Sequence, residues 1–277
     1  MDQVQHLMSI DLEDWFHLLD NDETRTPDQW ATFPSRVENN TQRLLDLFEK
    51  HKTKATFFVL GWMAEKHPDL IRKIQSLGHE IGCHSYAHPL IYNLTKSEFE
   101  SDLIKSLNII EDITKEKVTS YRAPGFSITN DCKWAFDILA KNGIKYDSSV
   151  FPTERSHGGL PGFPEKPFII DTVYGNIKEY PISTAVILGK KIVFSGGGYF
   201  RLFPYWYISR QFSKHQIKNQ PVITYFHPRD IDPKQPVLKL SKVRKFKSYV
   251  NLAGTFDKLD KLLSHYNFTN ISNIPNT

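Results

Sequence analysis

Short runs of consecutive apolar residues, each closed by a polar cluster, alternate along this chain with longer stretches in which apolar residues recur every three or four positions. The short runs predict strands at His6–Ile10, Ala55–Leu60, Glu80–Cys83, Val118–Tyr121, Ile144–Tyr146 and Pro221–Phe226. The longer stretches predict helices. One is capped by Ser35 and carries Val37, Leu44, Leu45, Leu47 and Phe48 on its inner face. A second opens at Asp69, buries Leu70, Ile71, Ile74 and Leu77, and ends at Gly78. A third follows the Thr95–Glu98 capping box, and a fourth runs through Trp134, Phe136, Ile138 and Leu139 to Gly143. A last helix is expected over Phe246–His265. This strand–helix repetition implies an α/β fold with a mostly parallel sheet, as a barrel or partial barrel, in one domain over residues 1–277. Phe151–Pro167 and Ser195–Tyr199 read as Pro- and Gly-rich loops.

At 277 residues, the chain is long enough for one such domain, and its 13% aromatic content argues against disorder. A net charge of +4, with no interleaving of many basic and aromatic residues, gives no reason to expect nucleic acid. The basic run Lys239–Lys247 (KLSKVRKFK) reads as a solvated face, with contact to phosphate or an anionic membrane as the sharper alternative. Cys83 and Cys132 make no disulfide framework, and Cys83 reads as a small buried strand residue rather than a ligand. Neither a secretory signal nor an apolar run of transmembrane length is visible, so the expectation is a soluble, cytoplasmic protein, with attachment to the inner membrane face left open.

Four polar clusters follow predicted strands. HSYAH sets His84 and His88 four apart, a spacing that on a helix would aim both imidazoles at one ion. IDLEDW crowds Asp11, Glu13 and Asp14, which is costly unless a cation or proton relieves the repulsion. YRAPGF offers Arg122 on a loop stiffened by Pro124, and YFHPRD places His227 at a strand end. Each has a plainer reading: chance spacing, a solvated acidic loop, a surface arginine in a turn, a structural histidine.

In this order the four clusters resemble the polysaccharide deacetylase family (carbohydrate esterase family 4, the NodB-homology domain). HSYAH matches the family's His-[Ser/Thr]-x-x-His motif, and RAPGF resembles its Arg-x-Pro-[Phe/Tyr] loop with one residue inserted. DLED departs from Thr-Phe-Asp-Asp-Gly and, with FHPRDIDP, looks more like a subgroup found near exopolysaccharide loci. The resemblance implies a distorted, seven-stranded parallel (β/α) barrel holding a divalent metal, usually zinc. It implies Asp11 as catalytic base, Asp14 as metal ligand with His84 and His88 (Glu13 as the alternative to Asp14), Arg122 paired with the base, and His227 as general acid. Trp15, Pro124, Tyr199 and Trp206 are candidates for the substrate rim, with core or loop packing as the competing reading. His157 is too isolated for an assignment.

The expected activity is removal of an N-acetyl group from a sugar, nucleotide- or lipid-linked, in surface-polysaccharide biosynthesis. An allantoinase-like cyclic-amide hydrolase on the same fold and a non-catalytic carbohydrate-binding barrel are the alternatives.

Overall fold

The computed structural model describes residues 4–19, 21–155 and 158–275. In chain order its elements are β1 (His6–Leu7), β2 (Ser9–Leu12), α1 (Pro27–Trp30), α2 (Val37–Lys50), β3 (Thr56–Val59), α3 (Gly61–Lys66), α4 (Pro68–Ser76), β4 (Glu80–Cys83), α5 (Lys96–Thr114), β5 (Ser120–Tyr121) and α6 (Trp134–Lys141). There follow β6 (Tyr146–Asp147), β7 (Phe168–Thr172), β8 (Gly175–Glu179), β9 (Thr184–Ile187), β10 (Lys190–Val193), α7 (Gly197–Leu202), α8 (Tyr205–Ile217), α9 (Lys242–Tyr249), α10 (Thr255–His265) and β11 (Phe268–Thr269). They gather into two compact units, Met1–Ala55 with Val193–Thr277, and Thr56–Ile192.

In the 56–192 unit, β3, β4, β5, β6 and β8 lie side by side and parallel. The parallel expectation fails at β7, which is antiparallel to β8. Only Val173 and Tyr174 separate those strands, too few for a parallel crossover. Helices α4 and α5 pack on β4, and α6 packs on β7 and β8. Ile71, Ile74, Leu103, Ile110 and Leu139 on these helices are buried, as are Phe57, Phe58 and Val59 on β3. The Thr95–Glu98 box caps α5 with both of its bonds, Glu98 N to Thr95 Oγ1 at 3.3 Å and Thr95 N to Glu98 Oε2 at 2.8 Å.

Gly82 lies opposite Phe58 in the β3–β4 register. A Cβ there would stand 2.6 Å from Ser120 Oγ and 2.7 Å from the Phe58 ring. Gly82→Ala is therefore expected to cost about 1–3 kcal/mol of stability, read as a lowered midpoint in thermal or denaturant unfolding. An unchanged midpoint would mean that this strand row is looser than described.

In the other unit β1 pairs with β11, and the segment 222–226 bridges in parallel to Leu7, Ile10 and Gly196. The predicted strand at 221–226 is thus present as bridges rather than as a continuous ladder. The core of this unit includes Leu7, Met8, Ile10, Phe194, Phe200, Phe212, Phe226 and Leu259. Two expectations change here. Ser195–Tyr199 is no loop: Gly197, at φ +51°, opens α7. The single last helix is two, α9 and α10. The break falls at Val250–Gly254, where Asn251 takes φ +49° and its amide donates to the Arg201 carbonyl at 3.0 Å.

Candidate functional site

Chemistry-bearing residues in both units follow strands, at their carboxyl ends. In the unit containing the N-terminus, Asp11 N donates to Phe226 O at 2.8 Å and Phe226 N donates to Ser9 O at 3.0 Å. The chain after β2 and the chain after Phe226 therefore leave side by side. Asp11, Glu13 and His227 each bring a ligand-type atom within 4.8 Å of the others. His227 Nε2 lies 3.8 Å from Asp11 Oδ2 and 3.9 Å from Glu13 Oε1.

His227 is held from behind. Asp230 Oδ2 accepts from His227 N at 2.9 Å and sits 3.0 Å from Nδ1, which fixes the ring proton at Nδ1. Asp230 in turn faces Arg201, whose Nε is 3.4 Å away. Burial alone would push the Asp230 carboxyl up, but Arg201 and His227 outweigh it and hold it well below the usual carboxylate range. Burial likewise opposes a charged His227, yet Asp230, Glu13 and Asp11 raise its pKa on balance. The segment is clamped to α2 through Asp232, which accepts from Arg36 Nε at 2.5 Å and Asn40 Nδ2 at 3.1 Å.

Asp14, expected as a metal ligand, is engaged at the start of α2. Its Oδ1 accepts from Trp15 N at 2.8 Å. Its Oδ2 accepts from Ser35 Oγ at 2.6 Å, Arg36 N at 2.8 Å and Val37 N at 3.2 Å. Asp14, not Ser35, thus supplies the side-chain acceptor for the first N–H groups of α2, and Ser35 serves Asp14.

In the 56–192 unit, HSYAH is not helical. It is a loop after β4 with Ser85 at φ +71° and His88 at φ +57°. Gly61 N and Trp62 N at the start of α3 donate to the carbonyls of Ser85 and Tyr86 at 2.8 and 3.1 Å. Asp102 accepts from Ser85 Oγ and, at 2.9 Å, from Tyr86 N. The loop thus brings the His84 and His88 rings to a centroid separation of 5.3 Å. His84 Nδ1 is 2.7 Å from the Arg122 carbonyl oxygen. A carbonyl only accepts, so the proton sits on Nδ1 and Nε2 carries the lone pair. This is the outer-shell bond that metal-ligating histidines make, and it is the observation by which this chain fits a metal.

Arg122 is fully buried. Its Nε donates to Ser148 O at 3.0 Å and Nη2 to Ser148 Oγ at 2.8 Å, with the guanidinium 4.3 Å from the Phe58 ring centre. The register aligns Tyr121, Asp147 and Glu179 across β5, β6 and β8, so Asp147 and Glu179 meet on one face. Both are fully buried. Asp147 accepts from Ser149 N at 2.9 Å and Ser149 Oγ at 2.8 Å, and Glu179 accepts from Val150 N at 3.0 Å. Burial first, then the Asp147 charge, raises Glu179 well above its ordinary value, which favours a proton shared between Glu179 and Asp147.

A carboxyl with a raised folded-state pKa contributes stability that is complete below its unfolded pKa and is lost as pH rises toward the folded value. Glu179→Gln keeps the shape and removes the titration. Melting curves across neutral pH are expected to fall with pH more steeply in the parent than in the variant; parallel curves would contradict the shared proton.

Among the rim candidates, Trp15 is corrected to the core: it is 3% exposed and its indole donates to Pro34 O at 3.0 Å. Pro124 is also buried, at the start of a 3-10 turn. Tyr199 and Trp206 are exposed, on α7 and at the start of α8. His157 lies outside the described residues. Asp230 is legible in sequence as the acid three positions after His227. Arg201, Asp147 and Glu179 carry no such signal, because only packing shows that they face other charges.

Residues 21–146 match the family model described as polysaccharide deacetylase, and residues 148–276 match one described as a domain of unknown function (DUF3473). A peptidoglycan-N-acetylglucosamine deacetylase of Bacillus cereus is 36% identical over 96 residues, 34% of this chain and 35% of that protein. A peptidoglycan deacetylase of Helicobacter pylori is 36% identical over 108 residues, 39% of this chain and 36% of that protein. The chain thus spans about a third of the length of these curated relatives. A solved structure of a Mycobacterium smegmatis protein provisionally assigned as a polysaccharide deacetylase superposes with a TM-score of 0.66 at 17% identity. That match covers 96% of this chain and 86% of the other, and shows that the α/β fold is shared. Residues 21–146 thus carry the chain's similarity to the polysaccharide deacetylase family.

Proposed function

We propose that the chain is a metal-dependent hydrolase that removes an N-acetyl group from a sugar. The observation that carries this reading is the HSYAH loop, which lies inside the matched family region and has the His84 Nδ1 proton tied to the Arg122 carbonyl. The deacetylase activities for which the B. cereus and H. pylori relatives are named support the same class of reaction. His84, His88 and a carboxylate from the Asp11–Asp14 segment are the proposed ligands. Glu13 is preferred to Asp14, whose carboxylate is engaged in capping α2. Two imidazoles and a carboxylate suit zinc with one position open.

An ion bound there supplies polarisation of the amide carbonyl and acidification of an attacking water. Asp11 acts as base, taking the proton of that water, and Arg122 orients this carboxylate. His227, with Nδ1–H held by Asp230, presents Nε2 to protonate the departing amine nitrogen. An amine leaves poorly as an anion, so this proton is essential for an amide. The sugar is proposed to be carried on a nucleotide or lipid and to belong to surface-polysaccharide assembly.

The test is acetate release from N-acetylhexosamine oligomers, nucleotide sugars and lipid-linked sugars, before and after chelation and zinc readdition. Release abolished by chelation and restored by zinc supports the proposal. Release indifferent to chelation, or none from any N-acetyl sugar with zinc supplied, would overturn it.

A further inference from the structure

Helix α9 sits on the molecule in an unusual way. It buries none of its residues, yet it carries Val243 and Phe246, which are 65% and 56% exposed. It is attached by its C-terminal end instead of an apolar face. Arg201 donates to the carbonyls of Ser248 at 2.7 Å and Lys247 at 3.0 Å, and Arg229 donates to Ser248 O at 3.2 Å. Tyr249 OH accepts from Leu238 N at 3.0 Å. With 3.6 residues per turn, Arg244 and Ser248 share the inward side, and Arg244 reaches the Leu19 carbonyl. Phe246 then stands at the centre of the outward side. Lys242 and Val243 flank it one turn back, and Lys245 and Lys247 lie to either side. Exposed Val237 and Lys239 continue the same surface.

The charge is one-sided. Residues 233–256 contain six cations, Lys234, Lys239, Lys242, Arg244, Lys245 and Lys247, and no acid. Lys239 pairs with Glu23 at 3.4 Å between two exposed side chains, which screens little. No helix among the described residues is long and apolar enough to cross a membrane.

We propose that α9 and the preceding strip from Val237 form a docking surface for an anionic lipid bilayer. An aromatic at the crest of a short helix, ringed by lysines with long apolar stems, is the arrangement of a helix that lies in a headgroup layer. The lysines meet lipid phosphates while Phe246 and Val243 enter the acyl boundary. A soluble polyanion would use the lysines and leave both apolar side chains in water, so their exposure favours the bilayer. The proposal concerns binding alone and stands whether or not the chain deacetylates sugars.

The experiment is co-sedimentation of the full chain with two kinds of vesicle at about 0.1 M salt, where exposed charges still act over ~10 Å. One is phosphatidylcholine alone, the other an equal mixture of phosphatidylcholine and phosphatidylglycerol. Binding is expected to the mixed vesicles only. Lys242→Ala with Lys245→Ala and Lys247→Ala should lower the partition coefficient about 100-fold, at roughly fivefold per lysine. Phe246→Ser should lower it about tenfold. These positions are exposed, so both variants should keep the parent's melting temperature. Absence of binding to mixed vesicles would overturn the proposal. So would binding that Phe246→Ser leaves unchanged and that heparin displaces, because that pattern describes a polyanion site.

Discussion

Replacing His84 and His88 together with alanine is expected to strip the chain of bound metal and to lower acetate release by about 10³-fold or more. Both rings come from one loop after β4, braced by α3 and Asp102, and the loop keeps those braces when the imidazoles are gone. The double variant should therefore fold and melt close to the parent, and the loss would be chemical. The acidic segment divides the same way. Glu13→Gln should weaken zinc binding with little change in stability. Asp14→Asn should leave zinc binding in place and cost about 1–2 kcal/mol, because it disturbs the acceptor for the first turn of α2. Metal analysis and unfolding midpoints on the two variants distinguish them; the reverse assignment would return Asp14 to the ligand role.

The second large effect is expected at His227. His227→Ala should lower amide turnover by about 10²–10⁴-fold, the range for loss of a positioned acid. An activated ester such as 4-nitrophenyl acetate releases a phenolate that needs no proton, so its hydrolysis should survive in the same variant. Asp230→Asn should follow the same pattern more mildly, lowering kcat more than KM, because Asp230 fixes the Nδ1 proton and leaves Nε2 to act. Equal loss on amide and ester would mean that His227 serves metal binding or folding instead of protonation.

Much of the fold is legible in the residues themselves. Most strands and helices up to Tyr146 follow from apolar periodicity, the short α1 and α3 excepted, and the capping box at Thr95–Glu98 and the stop at Gly78 are local signals that packing leaves intact. The later chain is harder to read. Strand β7 is half-exposed, so its alternation is weak, and the turn after it reverses its direction. The helix expected over 246–265 has good periodicity on both sides of Asn251, but a left-handed residue there breaks it. HSYAH shows the opposite case: the spacing suggests a helical turn, and two left-handed residues in a loop bring the rings together instead.

The candidate site divides similarly. His84, His88, Arg122 and His227 stand out because each follows a strand within a short polar cluster. Asp14 is hard to read because a carboxylate beside a helix start and one beside an ion look alike in sequence. The Asp147–Glu179 pair is hidden because the register that joins β6 to β8 spans more than thirty residues of chain, at Asp147↔Glu179. Arg201 is hidden for a related reason. It lies near the end of α7, beside a Gly-rich segment that reads as loop, and its partners Asp230 and Ser248 come from elsewhere in the chain.

An ion held by the proposed ligands, His84, His88 and a carboxylate of the Asp11–Asp14 segment, is expected to be required for deacetylation. The most direct test is a zinc titration of the metal-stripped chain, with bound metal and acetate release measured on the same samples. Activity is expected to rise from background in proportion to bound zinc and to level off at one ion per chain. Full acetate release before zinc is added would contradict this, as would one tightly bound ion retained after both histidines are replaced.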